Sequence, residues 1–215
     1  MSAAILPPAV ALFSERHPDV ELGFVEAEPE ESAQMLRAGE LELALVFDYR
    51  HLPGAELDRL YEGIELHSLV DDPMYLAVPR GHAAARRARV RMEDLADETW
   101  IQEADPASPC GRLHSAACAA AGFVPKIGFK SDDYNVVQGL VAAGVGVSLI
   151  PSIALSNLRE DIVIRSLGRR APSRHIAAAT PAGRYRSPAA DAMLAILQDV
   201  AADFVRPSGS AESAA

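Results

Sequence analysis

Short apolar runs alternate with amphipathic helical stretches along almost the whole chain, and that alternation restricts it to an α/β architecture. In residues 3–16, Ile5, Leu6, Ala9, Val10, Leu12 and Phe13 share one side of a helix that His17-Pro18-Asp19 ends. The run VELGFVE (20–26) alternates Val20, Leu22 and Phe24 to one face and predicts a strand. A helix then opens near Pro29, with Glu30 and Glu31 in its first turn where the dipole favours acids, and closes at Gly39. Residues 40–47 predict a strand apolar enough to be covered on both faces. Two further strand-like runs, 64–70 and 74–79, are separated by Asp71-Asp72-Pro73, as expected where a strand passes from one lobe to another. The two aspartates are expected to shape a turn there. A polar loop and short helix lead to TWIQE (99–103), a short strand. Beyond it the pattern predicts a helix over 108–121, strands at 126–130 and 162–167, a helix over 133–143, a short helix from Pro151-Ser152, and a strand at 175–180. Ser187-Pro188 reads as an N-cap followed by proline at the first helical position, opening a last helix through Phe204. Such β/α alternation argues for parallel sheets with helices on their faces.

The stretch LVAAGVGVSLIP (140–151) resembles a phosphate cradle, and its context excludes one. A phosphate-binding GxGxxG follows a strand and opens a helix, so that backbone N–H groups meet the anion. Here the order is helix, glycine, strand, and Leu149 occupies the place of the third glycine. Gly144 reads as a helix stop and Gly146 as a close-packing point.

Other chemistry is sparse. No GxSxG elbow is present, and Ser148 falls inside the apolar run. The six histidines are scattered, with no HExxH and no pair at metal-ligand spacing. Glu26, Glu28, Glu30 and Glu31 suit a solvated helix start. Cys110 and Cys118, the two cysteines, stand eight apart in a predicted helix, too distant for a disulfide, and read as buried structural thiols. No catalytic group, metal site or cofactor is expected. The net charge of −10 repels phosphates, so the chain is poorly suited to grip DNA or an acidic membrane unaided. With 49% hydrophobic residues its composition is that of a globular protein, yet no apolar run approaches the ~18–20 residues of a membrane span. The first residues lack a basic signal-peptide region, so a cytoplasmic location is expected.

In open α/β sheets ligands gather beyond the carboxyl ends of strands, facing helix N-termini. Those edges single out Ser2 and Ala3, Ala27 to Glu30, then Phe47, Asp48 and Tyr49, then Asp105 to Ser108, and finally Asp132 to Asn135. Each residue alone suits a cap or loop; convergence of the set on one cleft is the expectation.

The segments ILPPAVALFSERHPDVELGF, MLRAGELELALVF, LAVPRGHAAARRARVRMEDLADETWI, AAGFVP and LVAAGVGVSLIP, in this order and spacing, make the chain from about residue 2 to 204 resemble the effector-binding domain of LysR-type transcriptional regulators. The resemblance implies two Rossmann-like lobes joined by two crossover strands, as in type 2 periplasmic binding proteins. Residues 1–73 with 169–205 would form one lobe and 74–168 the other, with 206–215 a disordered tail. It implies a small-molecule effector between the lobes, small organic acids being common in the family. Ser2 and Ser108 match hydroxyl positions that contact effectors, and Tyr134 falls where it can stack on or hydrogen-bond to an organic ligand. Pro29 stands where relatives commonly place Ser or Thr, so one customary hydroxyl is absent. The family's winged helix-turn-helix and the domain's usual first strand are missing from this sequence, so no direct DNA contact by this chain is expected. A homodimer, and a tetramer in the intact protein, are implied. A solute-binding protein of a transporter is the alternative; an enzyme on the same fold would have to use Asp105 or Asp133 as its acid.

Overall fold

The computed structural model describes residues 4–48 and 59–205. The chain divides into two compact units, one Asp72–Arg174 and the other Ser2–Asp71 with His175–Ala215. The divisions fall inside two long strands, β2 (Ile64–Pro79) and the last strand, Ser173–Pro181.

In the unit that holds the termini, α1 (Leu6–Arg16) buries Ile5, Ala9 and Phe13, the i, i+4, i+8 positions of one helical face. α2 (Pro29–Ala38) follows, closed by Gly39 in the left-handed conformation (φ 79°). Next comes β1 (Ala44–Asp48), paired antiparallel with the last strand in the register Ala44 to Ala179. Leu36, Val46, Tyr61, Ile64, Ala177 and Ala179 form its core, and the Tyr61 hydroxyl donates to the Phe47 carbonyl (2.9 Å).

The strand expected at 20–26 is absent. No ladder forms there, and Val20, Leu22, Phe24 and Val25 are exposed, Phe24 by 69%. Alternation supplies only a face. A strand also needs a neighbour for its N–H and C=O groups, and none of the described residues pairs with this segment.

In the Asp72–Arg174 unit, the second half of β2 is a central strand. It pairs antiparallel with β5 (Ser148–Pro151) from Met74 to Ala77, and with β6 (Ile162–Arg165) from Leu76 to Pro79. Parallel pairing occurs where β3 (Thr99–Gln102) meets β4 (Lys126–Lys130), and at the Trp100–Val147 bridge. The expectation of parallel sheets therefore holds only for this part. β2 runs for 16 residues, and β5 and β6 flank it in the opposite sense with only a 3-10 turn (Ser152–Asn157) between them. The helices are α3 (Pro109–Ala120) and α4 (Tyr134–Ala142); Ala77, Ile101, Val137, Val141, Ile150 and Ile162 pack as its core. With β7 the last strand (Ser173–Pro181), the last described element is α5 (Pro188–Val205), where the Ser187 hydroxyl accepts from the Ala190 N–H (3.1 Å).

The paired glycines of 140–151 now have distinct explanations. Gly144 (φ 75°) ends α4, its N–H donating to the Val141 carbonyl. Gly146 lies against β3: a Cβ there would stand 2.7 Å from the Thr99 carbonyl oxygen and 3.2 Å from Ile101 Cγ1. That same carbonyl accepts the Val147 N–H, and Val147 in turn accepts from Ile101, both at 2.9 Å. Gly146→Ala must push β3 and β5 apart, so it is expected to cost about 1–3 kcal/mol. A thermal melt checks this, the midpoint falling by about 2–4 °C per kcal/mol in a chain of this size.

Candidate functional site

Side-chain hydrogen bonds fix the starts of two helices in the Asp72–Arg174 unit. β3 ends in Gln102 and Glu103, and the chain turns through Asp105 and Pro106 into α3. Gly111 makes the turn possible: a Cβ on it would strike the Asp105 and Pro106 carbonyl oxygens at 2.7 and 2.8 Å. Ser108 caps α3, its hydroxyl accepting from the Gly111 N–H (3.0 Å) and donating to Glu103 Oε2 (2.6 Å). Gln102 Nε2 donates to the Gly111 carbonyl (3.1 Å), tying strand to helix. On the other side, Asp133 caps α4 by accepting from the Asn135 N–H (2.8 Å), and Asp132 accepts from the Ala104 N–H (2.9 Å).

Between these walls lies a cavity of about 30 Å³, lined among others by Gln102, Glu103, Cys110, His114, Ser131 and Tyr134. His114 is 5% exposed, and neither ring nitrogen has a hydrogen-bonding partner among the described residues. Its ring lies 4.8 Å from that of Trp100, and burial lowers its pKa to about 4, so the imidazole is neutral at physiological pH. Tyr134 is held protonated in the same way: burial raises its phenol, the Arg174 cation pulling the other way.

Behind the cavity sits a buried ion pair. Arg174 Nε donates to Asp72 Oδ2 at 2.7 Å, with both side chains at most 1% exposed. Asp72 Oδ1 also accepts from the Ser152 hydroxyl (2.7 Å) and the Ile153 N–H (3.0 Å), while Arg174 Nη1 reaches Cys110 Sγ at 3.5 Å. The turn-shaping role expected for Asp71-Asp72 is thus corrected. Asp72 neutralises an arginine 102 residues away, and Asp71 holds His175 Nδ1 (2.7 Å), whose Nε2 meets Ser68 Oγ (2.8 Å).

The expected site residues divide accordingly. Ser2, Ala3 and Tyr49 lie outside the described residues. Pro29 begins α2, and Phe47 and Asp48 end β1, all in the terminal unit. Asp105, Ser108, Asp133, Tyr134 and Asn135 share the Asp72–Arg174 unit, and of these Tyr134 lines the cavity. The Asp105 carboxylate accepts from the Ala107 N–H (2.8 Å), and the Ser108 hydroxyl is committed at both its donor and acceptor. Asp105 and Asp133, the acids an enzyme would need, are therefore engaged as exposed turn and helix caps. Glu103, Cys110 and His114 were missed. For Cys110 and His114 the signal was the Cys110, His114, Cys118 spacing of four along α3, which puts those three on one buried face. Both cysteines are free, and burial pushes the Cys118 thiol up to about 12.

Comparison with known proteins matches residues 1–202 to the LysR substrate binding domain. The chain belongs to that family. Its relatives include the HTH-type transcriptional regulator AlsR of Bacillus subtilis, 27% identical over 163 residues (75% of this chain and 51% of AlsR). Another is the hydrogen peroxide-inducible genes activator of Dickeya chrysanthemi, 28% identical over 176 residues (80% of this chain, 54% of the relative). The chain thus spans about half the length of the curated relatives it matches. Similar solved structures include the BenM effector-binding domain with its effector benzoate (TM-score 0.79, 20% identity, 98% of this chain and 92% of that one). The effector-binding domain of QuiR in complex with shikimate is another (TM-score 0.76, 23% identity, 94% and 93%). The α/β, periplasmic-binding-protein-like fold expected for a LysR effector domain is the fold found. No helix among the described residues is long and apolar enough to cross a membrane.

Proposed function

We propose that this chain is the ligand-sensing domain of a LysR-type transcriptional regulator. A small-molecule effector would bind it and shift its conformational equilibrium, and the shift would control transcription through a DNA-binding part of the intact protein. The observation that carries this reading is the built cavity of the Asp72–Arg174 unit, where neutral His114 and Tyr134 face the same space as Glu103. Family membership and the regulators among its relatives support it. Effector contact is assigned to Tyr134, with Ser108, Asp105, Asp133 and Asn135 shaping the helix starts around it. A cytoplasmic setting, homodimers and tetramers of the intact protein, and DNA contact made elsewhere than in this chain complete the proposal.

Thermal-shift screening of a metabolite panel tests it. A true effector at 100 times its Kd raises stability by about 2.7 kcal/mol, a shift of several degrees. Tyr134→Phe is expected to weaken that effector about 5- to 30-fold while leaving the melting point of the free chain within about 2 °C of the parent, as loss of one hydrogen bond to ligand does. Equal affinity in Tyr134→Phe and the parent would remove Tyr134 from the site.

A further inference from the structure

Burying a histidine with both nitrogens unpaired is costly, and native interiors rarely tolerate it. His114 does this beside open space, and the polar groups around it are largely engaged. Ser148 Oγ donates to the Ile101 carbonyl (2.9 Å), Gln102 Nε2 donates to Gly111, and Ser131 Oγ accepts from the Asp133 N–H (3.2 Å). None of them can turn to the ring without abandoning a bond.

We propose that His114 is the floor of an effector subsite that takes one uncharged hydroxyl group. This rests on the reading of the unit as a ligand-binding domain, and narrows the chemistry of its ligand. A neutral imidazole presents one N–H donor and one lone pair. A carboxylate offers nothing to the lone pair, and an ammonium offers nothing to the N–H. A hydroxyl can serve either nitrogen, accepting from the N–H or donating to the lone pair. Charge points the same way, because the Glu103 carboxylate lines the cavity. An anionic group placed here would meet that carboxylate, while Arg174 behind the wall is already paired with Asp72. Size agrees as well: at about 10–15 Å³ for each water-sized group, 30 Å³ admits two or three non-hydrogen atoms of a ligand and leaves the rest outside. The pocket should therefore select an alcohol at the deep end of its effector.

Three probes small enough for the space separate the chemistries: methanol, formate and methylammonium. In the chain labelled with 15N-histidine, methanol is expected to shift the His114 ring signals saturably, with formate and methylammonium at least tenfold weaker. Formate or methylammonium binding as well as the alcohol would overturn the subsite. So would silence from all three, which would leave the ring to water alone. Independently, His114→Leu should raise the melting point of the ligand-free chain, since it removes an unpaired polar ring and fills the space with apolar surface; a drop would mark the histidine as structural. A panel effector that binds the parent and His114→Leu equally would sink the subsite and leave the ligand-sensing reading standing. A panel without any hit would count against that reading whatever the probes do.

Discussion

Replacing Asp72 with alanine is expected to destabilise the chain by about 3–5 kcal/mol, the cost of stranding one member of a buried ion pair. Arg174 would keep its charge behind the cavity wall with its carboxylate partner gone, and the Ser152 hydroxyl and Ile153 N–H would lose their acceptor too. Chemical denaturation checks the figure. The double variant Asp72→Met with Arg174→Met should recover much of the loss, because an apolar pair of similar size carries no desolvation cost. Additive losses in the double variant would show that the two residues act separately. The pair joins β2 to β7 within the Asp72–Arg174 unit, beside both chain crossings, and Arg174 also touches Cys110 of the cavity wall. The same substitution should therefore blunt effector binding as well as lower stability.

The second large effect is a loss of stability in acid that runs through His114. In the folded chain this ring resists protonation until about pH 4, whereas unfolded it titrates near 6.5. Between those values the unfolded state binds more protons, so stability rises with pH across the window and is lost as pH falls through it. The full loss, reached below pH 4, is about 3 kcal/mol. Desolvation is the cause of the shift. Glu103 and Tyr134 line the same cavity, Cys110 and Cys118 share its helix face, and neither ring nitrogen is bonded to any of them. Denaturation at a series of pH values should show the slope in the parent and its near absence in His114→Leu. An identical pH profile in the two proteins would place the acid sensitivity elsewhere.

What the sequence made legible was local. Gly144 and Gly146 were readable as a stop and a close-packing point because helix, glycine, strand is an order no phosphate loop shares. Ser108, Asp133 and Ser187 were readable as caps because a cap is decided within three residues. What failed depends on partners far along the chain. Residues 20–26 carry the alternation of a strand, yet a strand is made by its neighbour, and no described residue pairs with them. Asp72, next to a proline, looks like a turn residue until Arg174 arrives across 102 positions. His114 seemed one of six scattered histidines; only the packing of α3 against Trp100 reveals that its ring is buried and unpaired. The cavity is tertiary throughout, since β3, α3, α4 and β5 each contribute to its wall.

The most direct test is a crystal structure of this chain with whichever compound gives the largest thermal shift. The account predicts that ligand lies against Tyr134, with a hydroxyl directed to His114 and no carboxylate beside Glu103. Density for the compound on another face of the Asp72–Arg174 unit, with the His114 cavity unchanged, would contradict it.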